Sequence, residues 1–155
     1  MLGRSAVVTS FLIAVSCAAL MSDDALGQGQ GQAQATRMTA ITDGTKMDNF
    51  DKVGDANWRI GERAIVANEG RGFLVTKQAY DNFRLRAEFY PDEETDSGIF
   101  IRCEDPKAPT AQSCYEINIY DTNTNPNNVT GSIVNVAKPE RPPQTELKWN
   151  VLEIE

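Results

Sequence analysis

The chain has 155 residues, a formal net charge of −7 and no histidine. One domain is expected at this length, and the excess of acidic residues disfavours binding to nucleic acid or to an anionic lipid surface. The lack of histidine excludes Ser-His-Asp and Cys-His catalysis, an imidazole general base and histidine-ligated zinc. Acid and base chemistry therefore falls to carboxylates, Lys, Tyr or water assisted by Arg.

The first 27 residues are typical of a signal peptide. Arg4 precedes a small, apolar run from Ala6 to Leu20, which is shorter than a membrane span requires and suits the central region of a secretory signal. Two processing sites compete: ordinary cleavage before Gln28, and a lipoprotein-like sequence that ends at Cys17. We favour ordinary cleavage, export to the periplasm or beyond, and a mature chain without an integral membrane span.

A flexible linker is expected over residues 28–40, and a folded domain over residues 41–155. Residues 28–36 contain only Gly, Gln, Ala and one Thr, a composition that cannot bury a core. The stretch 38–50 is ambiguous between a helical turn and a strand. Three short strands then follow at 57–61, 64–67 and 73–76. Short strands separated by Gly- and Asn-containing turns predict an antiparallel β-sandwich or barrel.

The centre of the chain contains three runs that alternate between apolar and polar residues, at 83–90, 97–102 and 115–120. Because successive side chains of a strand point to opposite faces, each run predicts a strand with one buried face. We expect the three strands to be neighbours in one antiparallel sheet. The shared second face would then hold Arg84, Arg86, Glu88, Phe100, Arg102, Glu116, Asn118 and Tyr120. Such a face is either a platform for a polar ring such as a sugar or a solvated outer surface.

Two cysteines flank the loop between the last two of these runs. Cys103 ends one predicted strand and Cys114 begins the next. In an oxidising compartment they would form a disulfide that stabilises the fold by roughly 2–3 kcal/mol in the chain-entropy model. The alternative is a pair of free, buried thiols. Two cysteines without histidine make a poor zinc site, so no metal is expected here.

The last third of the sequence predicts two more strands and two loops. Residues 121–129 form a polar loop, 131–136 a short strand, 138–145 a proline-containing extended loop, and 149–155 a final strand. The final strand is mostly apolar and is followed by no turn or polar tail. We therefore expect a domain that is incomplete at its C-terminus.

Several segments together resemble the 3-keto-disaccharide hydrolase domain family. The most specific are Ser97-Gly98-Ile99-x-x-Arg102 and Tyr115-Glu116-x-x-Ile119-x-Asp121, which are followed by a Gly-x-Ile segment at 131–133 and by Trp149-Asn150. The resemblance covers residues 41–155 and implies a concanavalin A-like (laminin-G-like) jelly roll. The chain departs from the family at Asp96, where Asn is usual, and at Asn118, where Gln is usual. The family also continues beyond the last strand.

The resemblance implies an exported enzyme that cleaves glycosides carrying a ketone at C3. It makes Glu116 the candidate base, Arg102 the cation that stabilises the enolate, and Glu88 the second acidic group. Substrate contacts are expected from Ser97, Phe100, Asn118, Tyr120 and Asp121. No cofactor is expected. The alternatives are a non-catalytic, lectin-like carbohydrate-binding module, and an Arg102–Glu116 ion pair without chemistry.

Overall fold

A computed structural model describes residues 11–19 and 38–155, which form ten β-strands and no helix. Consequently no membrane-spanning helix occurs in this described part of the chain. The strands are β1 (Phe11–Ala19), β2 (Thr39–Ala40), β3 (Phe50–Gly54), β4 (Arg59–Gly61), β5 (Ala64–Ala67), β6 (Gly72–Thr76), β7 (Phe83–Pro91), β8 (Ser97–Ile101), β9 (Tyr115–Ile119) and β10 (Asn150–Ile154). All strand pairs are antiparallel, so the predicted all-β class is confirmed.

The strands form one large sheet and two hairpin-like pairs. The large sheet has six strands in the order β10-β7-β1-β5-β4, with β2 attached to β1. The two-stranded sheets are β3-β6 and β8-β9. The large sheet therefore forms one layer, and the two small sheets supply residues to the other.

The core lies between these layers and confirms the predicted sandwich. Ile65 of β5 and Leu85 of β7 are buried in one cluster with Phe50 of β3. Leu74 of β6 and Ile99 of β8 pack against the same cluster. Since residues from all three sheets meet there, the hydrophobic effect holds the layers together.

The long strand β7 shows the alternation predicted from its sequence. Leu85, Ala87 and Phe89 are buried, whereas Arg84 and Glu88 are exposed. The outer face is lined by ion pairs, Arg84–Glu153 at 3.4 Å and Arg86–Glu88 at 3.1 Å. Ion pairs as exposed as these each stabilise a protein by about 1 kcal/mol at most. The stability of β7 therefore comes mainly from its buried face.

The strand β1 lies between β5 and β7, whereas the sequence analysis placed the first 27 residues outside the fold. Residues 11–19 pair with β7, and residues 11–13 also pair with β5. The remaining residues of the predicted signal peptide, including the cleavage site before Gln28, lie outside the described residues. Removal of this segment in the cell stays a prediction.

Three local predictions were wrong. Strand β7 is not a neighbour of β8, because β1 and β10 take its two edges and β8 pairs only with β9. Residues 131–136 form no strand: Ile133 makes isolated bridges, and Asn135 turns the chain with a φ of 60°. Strand β3 was missed, because its sequence Phe-Asp-Lys-Val-Gly lacks a clear alternation. Only Phe50 in it is buried.

The predicted disulfide between Cys103 and Cys114 is confirmed. It joins the two ends of the β8–β9 connection, 11 residues apart in sequence. Next to it, the Glu104 N–H donates a hydrogen bond to the Ser113 carbonyl at 3.0 Å. The loop is therefore closed at its base by one covalent bond and one backbone hydrogen bond.

A matched pair of isoleucines tests the core assignment. Ile65 is 1% exposed, and its cross-strand partner Ile60 on the edge strand β4 is 39% exposed. We expect Ile65→Ala to lower the free energy of unfolding by about 2–5 kcal/mol, through lost burial and a cavity. Ile60→Ala should cost about 1 kcal/mol or less. Urea denaturation of both variants measures this, and equal losses would contradict the assignment.

Candidate functional site

The hairpin β8–β9 brings several predicted site residues to one face. Its register pairs Phe100 with Glu116 and Gly98 with Asn118. Residues directly opposite each other on an antiparallel pair lie on the same face. Ser97 pairs instead with Ile119, which is 1% exposed. The structure therefore groups Phe100, Glu116 and Asn118, and it places Ser97 on the opposite, core-facing side.

Glu116 lies against the backbone of Gly98. A Cβ atom at position 98 would lie 3.2 Å from Glu116 Cγ, 3.3 Å from Glu116 Oε1 and 2.7 Å from the Ile117 carbonyl oxygen. The glycine therefore leaves the space that this half-buried carboxylate occupies. Burial raises the pKa of Glu116, and the negative charge of Asp96 raises it further.

The aromatic residue Phe100 lies directly across the hairpin from Glu116 and contacts a second ring. The ring of Phe100 meets that of Phe73 on β6 edge to face, with centroids 5.1 Å apart. Edge-to-face pairs of this kind are favourable aromatic contacts. Because β6 and β8 belong to different small sheets, this contact joins them without a hydrogen-bond ladder. Phe100, the cross-strand partner of Glu116, is therefore held by a ring from the other small sheet.

Arg102 follows β8 directly and has a backbone φ of 53°. Its side chain is exposed, and no ion pair within 4.0 Å joins it to Glu116 or to another acidic residue of the described part of the chain. The alternative of an Arg102–Glu116 ion pair is therefore not observed. An exposed guanidinium next to the hairpin face remains available to a ligand anion or a polarised carbonyl oxygen.

Asp121, directly after β9, holds two later segments. Its Oδ1 accepts hydrogen bonds from the hydroxyls of Thr130 at 2.5 Å and Thr145 at 2.7 Å. Its Oδ2 accepts from the backbone N–H groups of Thr145 and Glu146. Burial raises the pKa of Asp121, but these hydrogen bonds outweigh it and leave the pKa below its usual value. The structure thus gives Asp121 a bracing role.

Asn118 also makes internal contacts. It is 3% exposed, and its side-chain amide donates to the carbonyl oxygen of Asn128. Its backbone N–H donates to Ser132, and its carbonyl accepts from Gly131. Asn118 therefore fixes the loop beside β9. Tyr120, which is partly buried, is held in the same way, since its N–H donates to the Thr130 hydroxyl at 2.7 Å.

That loop encloses a polar pocket that the sequence analysis missed. The pocket has a volume of about 400 Å³ and is lined mainly by asparagine amides, from Asn125, Asn127, Asn128 and Asn135, together with Val136, Ala137 and Lys138. Amides supply donors and acceptors that match sugar hydroxyls. The high frequency of asparagine at 123–128 could have indicated this pocket, but by itself it is typical of an ordinary polar turn.

Glu88 lies apart from this group. It is on the outer face of β7 in the large sheet, where it pairs with Arg86 at 3.1 Å. No contact joins it to the residues of the β8–β9 hairpin face among the described interactions. We expected Glu88 and Glu116 to share one face of one sheet. This was wrong, because β7 and β9 belong to different sheets.

An apolar cavity of about 530 Å³ separates β6 from β8 and reaches the core. Phe73, Gly98, Phe100 and Arg102 line its outer part, and Trp58 lies among the inner lining residues. The indole N–H of Trp58 has no hydrogen-bond partner among the described residues. Across residues 38–155 no cluster of three or more His, Cys, Asp or Glu side chains is arranged to hold a metal ion.

Comparison with known proteins gave one match. The family model of the 3-keto-alpha-glucoside-1,2-lyase-like domain matches residues 37–155, which is more than half of the chain. The matched segment contains β2 to β10 and the whole hairpin face described above. Searches among curated proteins and among solved structures returned no match.

The brace around Asp121 is tested by Asp121→Asn, which places an amide NH₂ against backbone donors. We expect a loss of roughly 1–2 kcal/mol in the free energy of unfolding at pH 7, at the low end because the group is partly exposed. The lowered pKa of Asp121 stabilises the fold above the ordinary value of 3.8, and this contribution is lost as the pH falls through the lowered value.

Urea unfolding from pH 2 to pH 7 measures this effect. The variant should lose less stability than the wild type on acidification, since it lacks the titrating group. The control is Asp81→Asn, at an exposed position before β7, which should behave like the wild type. Identical acid profiles for the wild type and Asp121→Asn would contradict the bracing role.

Proposed function

Because the chain belongs to the 3-keto-alpha-glucoside-1,2-lyase-like domain family, we propose that it cleaves glycosides already oxidised to a ketone at C3. The observation that carries this proposal is the half-buried Glu116 carboxylate, which lies in the space left by Gly98. Its raised pKa makes it a better proton acceptor than an exposed carboxylate. Membership of this family makes the domain carbohydrate-related, and cleavage of 3-keto-glycosides is the reaction that we propose for it.

The chemistry follows from the ketone. A carbonyl at C3 acidifies the proton on C2, which the Glu116 carboxylate removes. The electron pair of the broken C2–H bond forms the enolate, and its collapse breaks the C1–O bond. The enolate pair becomes the C1=C2 bond, and the leaving oxygen keeps the electron pair of the broken C1–O bond and takes a proton, which protonated Glu116 can return. Addition of water to the resulting C1=C2 bond completes hydrolysis, whereas release without water completes a lyase reaction.

Other residues around the hairpin support this reaction. Arg102 would stabilise negative charge on the enolate oxygen, because it carries a charge that no described ion pair neutralises. Phe100 would pack against the sugar ring. Asn118, Tyr120 and Asp121 would act by holding the surrounding loops, since their hydrogen bonds are internal. Glu88 has no contact that supports a catalytic role.

Export is part of the same proposal. The signal-peptide composition of the first 27 residues and the disulfide between Cys103 and Cys114 favour an oxidising compartment outside the cytoplasm. A protein of this kind would meet its glycoside substrate in the periplasm or beyond.

A second candidate function is carbohydrate binding without turnover. The asparagine-lined pocket favours it, because its amides could bind hydroxyl groups and it lies on the opposite edge of β9 from β8. In that case a double variant, Asn125→Ala with Asn127→Ala, should weaken glycan binding in calorimetry. Turnover by the wild-type chain would reject this candidate as the principal function.

The enzyme proposal is tested by Glu116→Gln in the full chain. We expect release of the 3-keto sugar from a 3-keto-glucoside to fall by about 10²- to 10⁴-fold, since the amide cannot accept the C2 proton. Glu153→Gln is the matched control, because Glu153 is an exposed glutamate on β10 and should retain full activity. Unchanged turnover in Glu116→Gln would exclude Glu116 as the base.

Asp96→Asn tests the electrostatic environment of the base. Burial is the larger cause of the raised pKa of Glu116 and would remain, but the repulsion from Asp96 would be removed. The pKa of Glu116 should therefore fall part of the way towards its ordinary value. We expect the acidic limb of the kcat/KM–pH profile to move to lower pH. A shift to higher pH, or none, would show that Asp96 does not act on the base.

A further inference from the structure

The most unusual feature of the large sheet is the origin of its central strand. Strand β1 pairs with β7 over nine residue pairs, from Phe11–Pro91 to Ala19–Phe83. It pairs with β5 over three, from Phe11–Ala67 to Ile13–Ile65. The segment that forms it lies inside the sequence expected to be a signal peptide. These nine residues therefore have the composition of a targeting signal, and in the structure they form a strand inside the sheet.

We call the gap that β1 fills the β5–β7 slot. Apart from β1, β7 pairs only with β10, and β5 pairs only with β4, within the described residues. An empty slot would leave the facing backbone N–H and C=O groups of β5 and β7 unpaired. Ile65 and Ala87, which are 1% and 0% exposed, are on the strands that flank it. An occupant of the slot therefore protects both a hydrogen-bond ladder and part of the core.

The slot cannot close simply by bringing its two walls together. Because β1 runs antiparallel to both β5 and β7, these two strands run in the same direction. Direct contact would require a new parallel ladder and a closing movement of about one strand spacing, roughly 5 Å, across the sheet. A strand of the opposite direction satisfies both walls without such a rearrangement.

The walls also define the chemistry of the occupant. They carry apolar residues that face the core, including Ile65, Leu85, Ala87 and Phe89. A charged side chain on that face would be buried without a partner, at a large desolvation cost. The register along β7 sets the length at about nine residues. An extended segment that is apolar at its alternate, core-facing positions and runs antiparallel to β7 fits these requirements.

We propose that the β5–β7 slot is a strand-accepting site for such an apolar peptide segment, and that residues 11–19 occupy it as long as they remain attached. Removal of the predicted signal peptide would open the site. The exported domain would then take up an extended apolar segment in trans by β-augmentation, in which backbone hydrogen bonds supply affinity and the buried face supplies selectivity. A molecule that has lost its signal peptide on export can therefore no longer fill the slot with its own residues 11–19.

The test begins with the full chain, into which a specific protease site is placed within residues 28–36. After cleavage, we expect the N-terminal fragment to remain bound to residues 37–155 on gel filtration. A labelled peptide with the sequence of residues 11–19, flanked by lysines for solubility, should displace it slowly. The same peptide with Pro in place of Val15 is the control, because Val15 pairs with Ala87 in the middle of the ladder. It should bind at least about tenfold more weakly.

Hydrogen exchange supplies a second readout, which remains usable if the displaced chain is less stable. Release of the fragment should speed exchange of the β5 and β7 amides at least about tenfold, and the peptide should restore their protection. The proposal is overturned if the fragment separates while those amides stay protected. It is also overturned if the cleaved chain forms a dimer that the peptide does not dissociate, since a second copy would then be the occupant.

Discussion

The architecture depends on the pairing of β7 along both of its edges. With β1 on one side and β10 on the other, neither edge of this strand is left for a ladder with the β8–β9 hairpin. The hairpin must therefore join the opposite layer, where Ile99 reaches the shared core. One consequence is functional: Glu88 stays on the outer face of the large sheet with Arg86, while Glu116 lies in the other layer. Both glutamates occupy polar positions in alternating runs. Their strands nevertheless pair with different neighbours, which places the two carboxylates in different sheets.

Within the hairpin, the absence of a side chain at one position matters as much as the side chains present. Gly98 allows the carboxylate of Glu116 to approach the neighbouring backbone, and the resulting burial is the main cause of its raised pKa. The aromatic contact between Phe73 and Phe100 joins two small sheets that share no ladder. This half-buried carboxylate and Arg102, which forms no ion pair within the described part of the chain, are the chemically distinctive part of the hairpin surface.

The loops around the hairpin are ordered by polar contacts. Asp121 connects the end of β9 to the segment at Thr130 and to the segment that enters β10. Asn118, on the same face of β9 as Glu116, secures the loop at Asn128. Side chains expected from the family resemblance to bind a sugar thus act mainly on the protein itself. They fix the segments that line the asparagine-lined pocket and that lead into the last strand.

The sequence by itself determined the strands with clear alternation, β7, β8 and β9, because such a pattern requires one buried face. It also predicted the disulfide from two cysteines that flank a short loop, and the structure decided against free thiols. The family followed from the two motifs at 97–102 and 115–121, which the family match confirms. Only the tertiary structure decided which strands share a sheet, since period-2 patterns specify a face and not a neighbour. It likewise decided that Glu116 is half-buried against Gly98, that Asp121 braces two loops, and that residues 11–19 lie between β5 and β7. These features depend on contacts between segments far apart in the chain, which a local pattern does not contain.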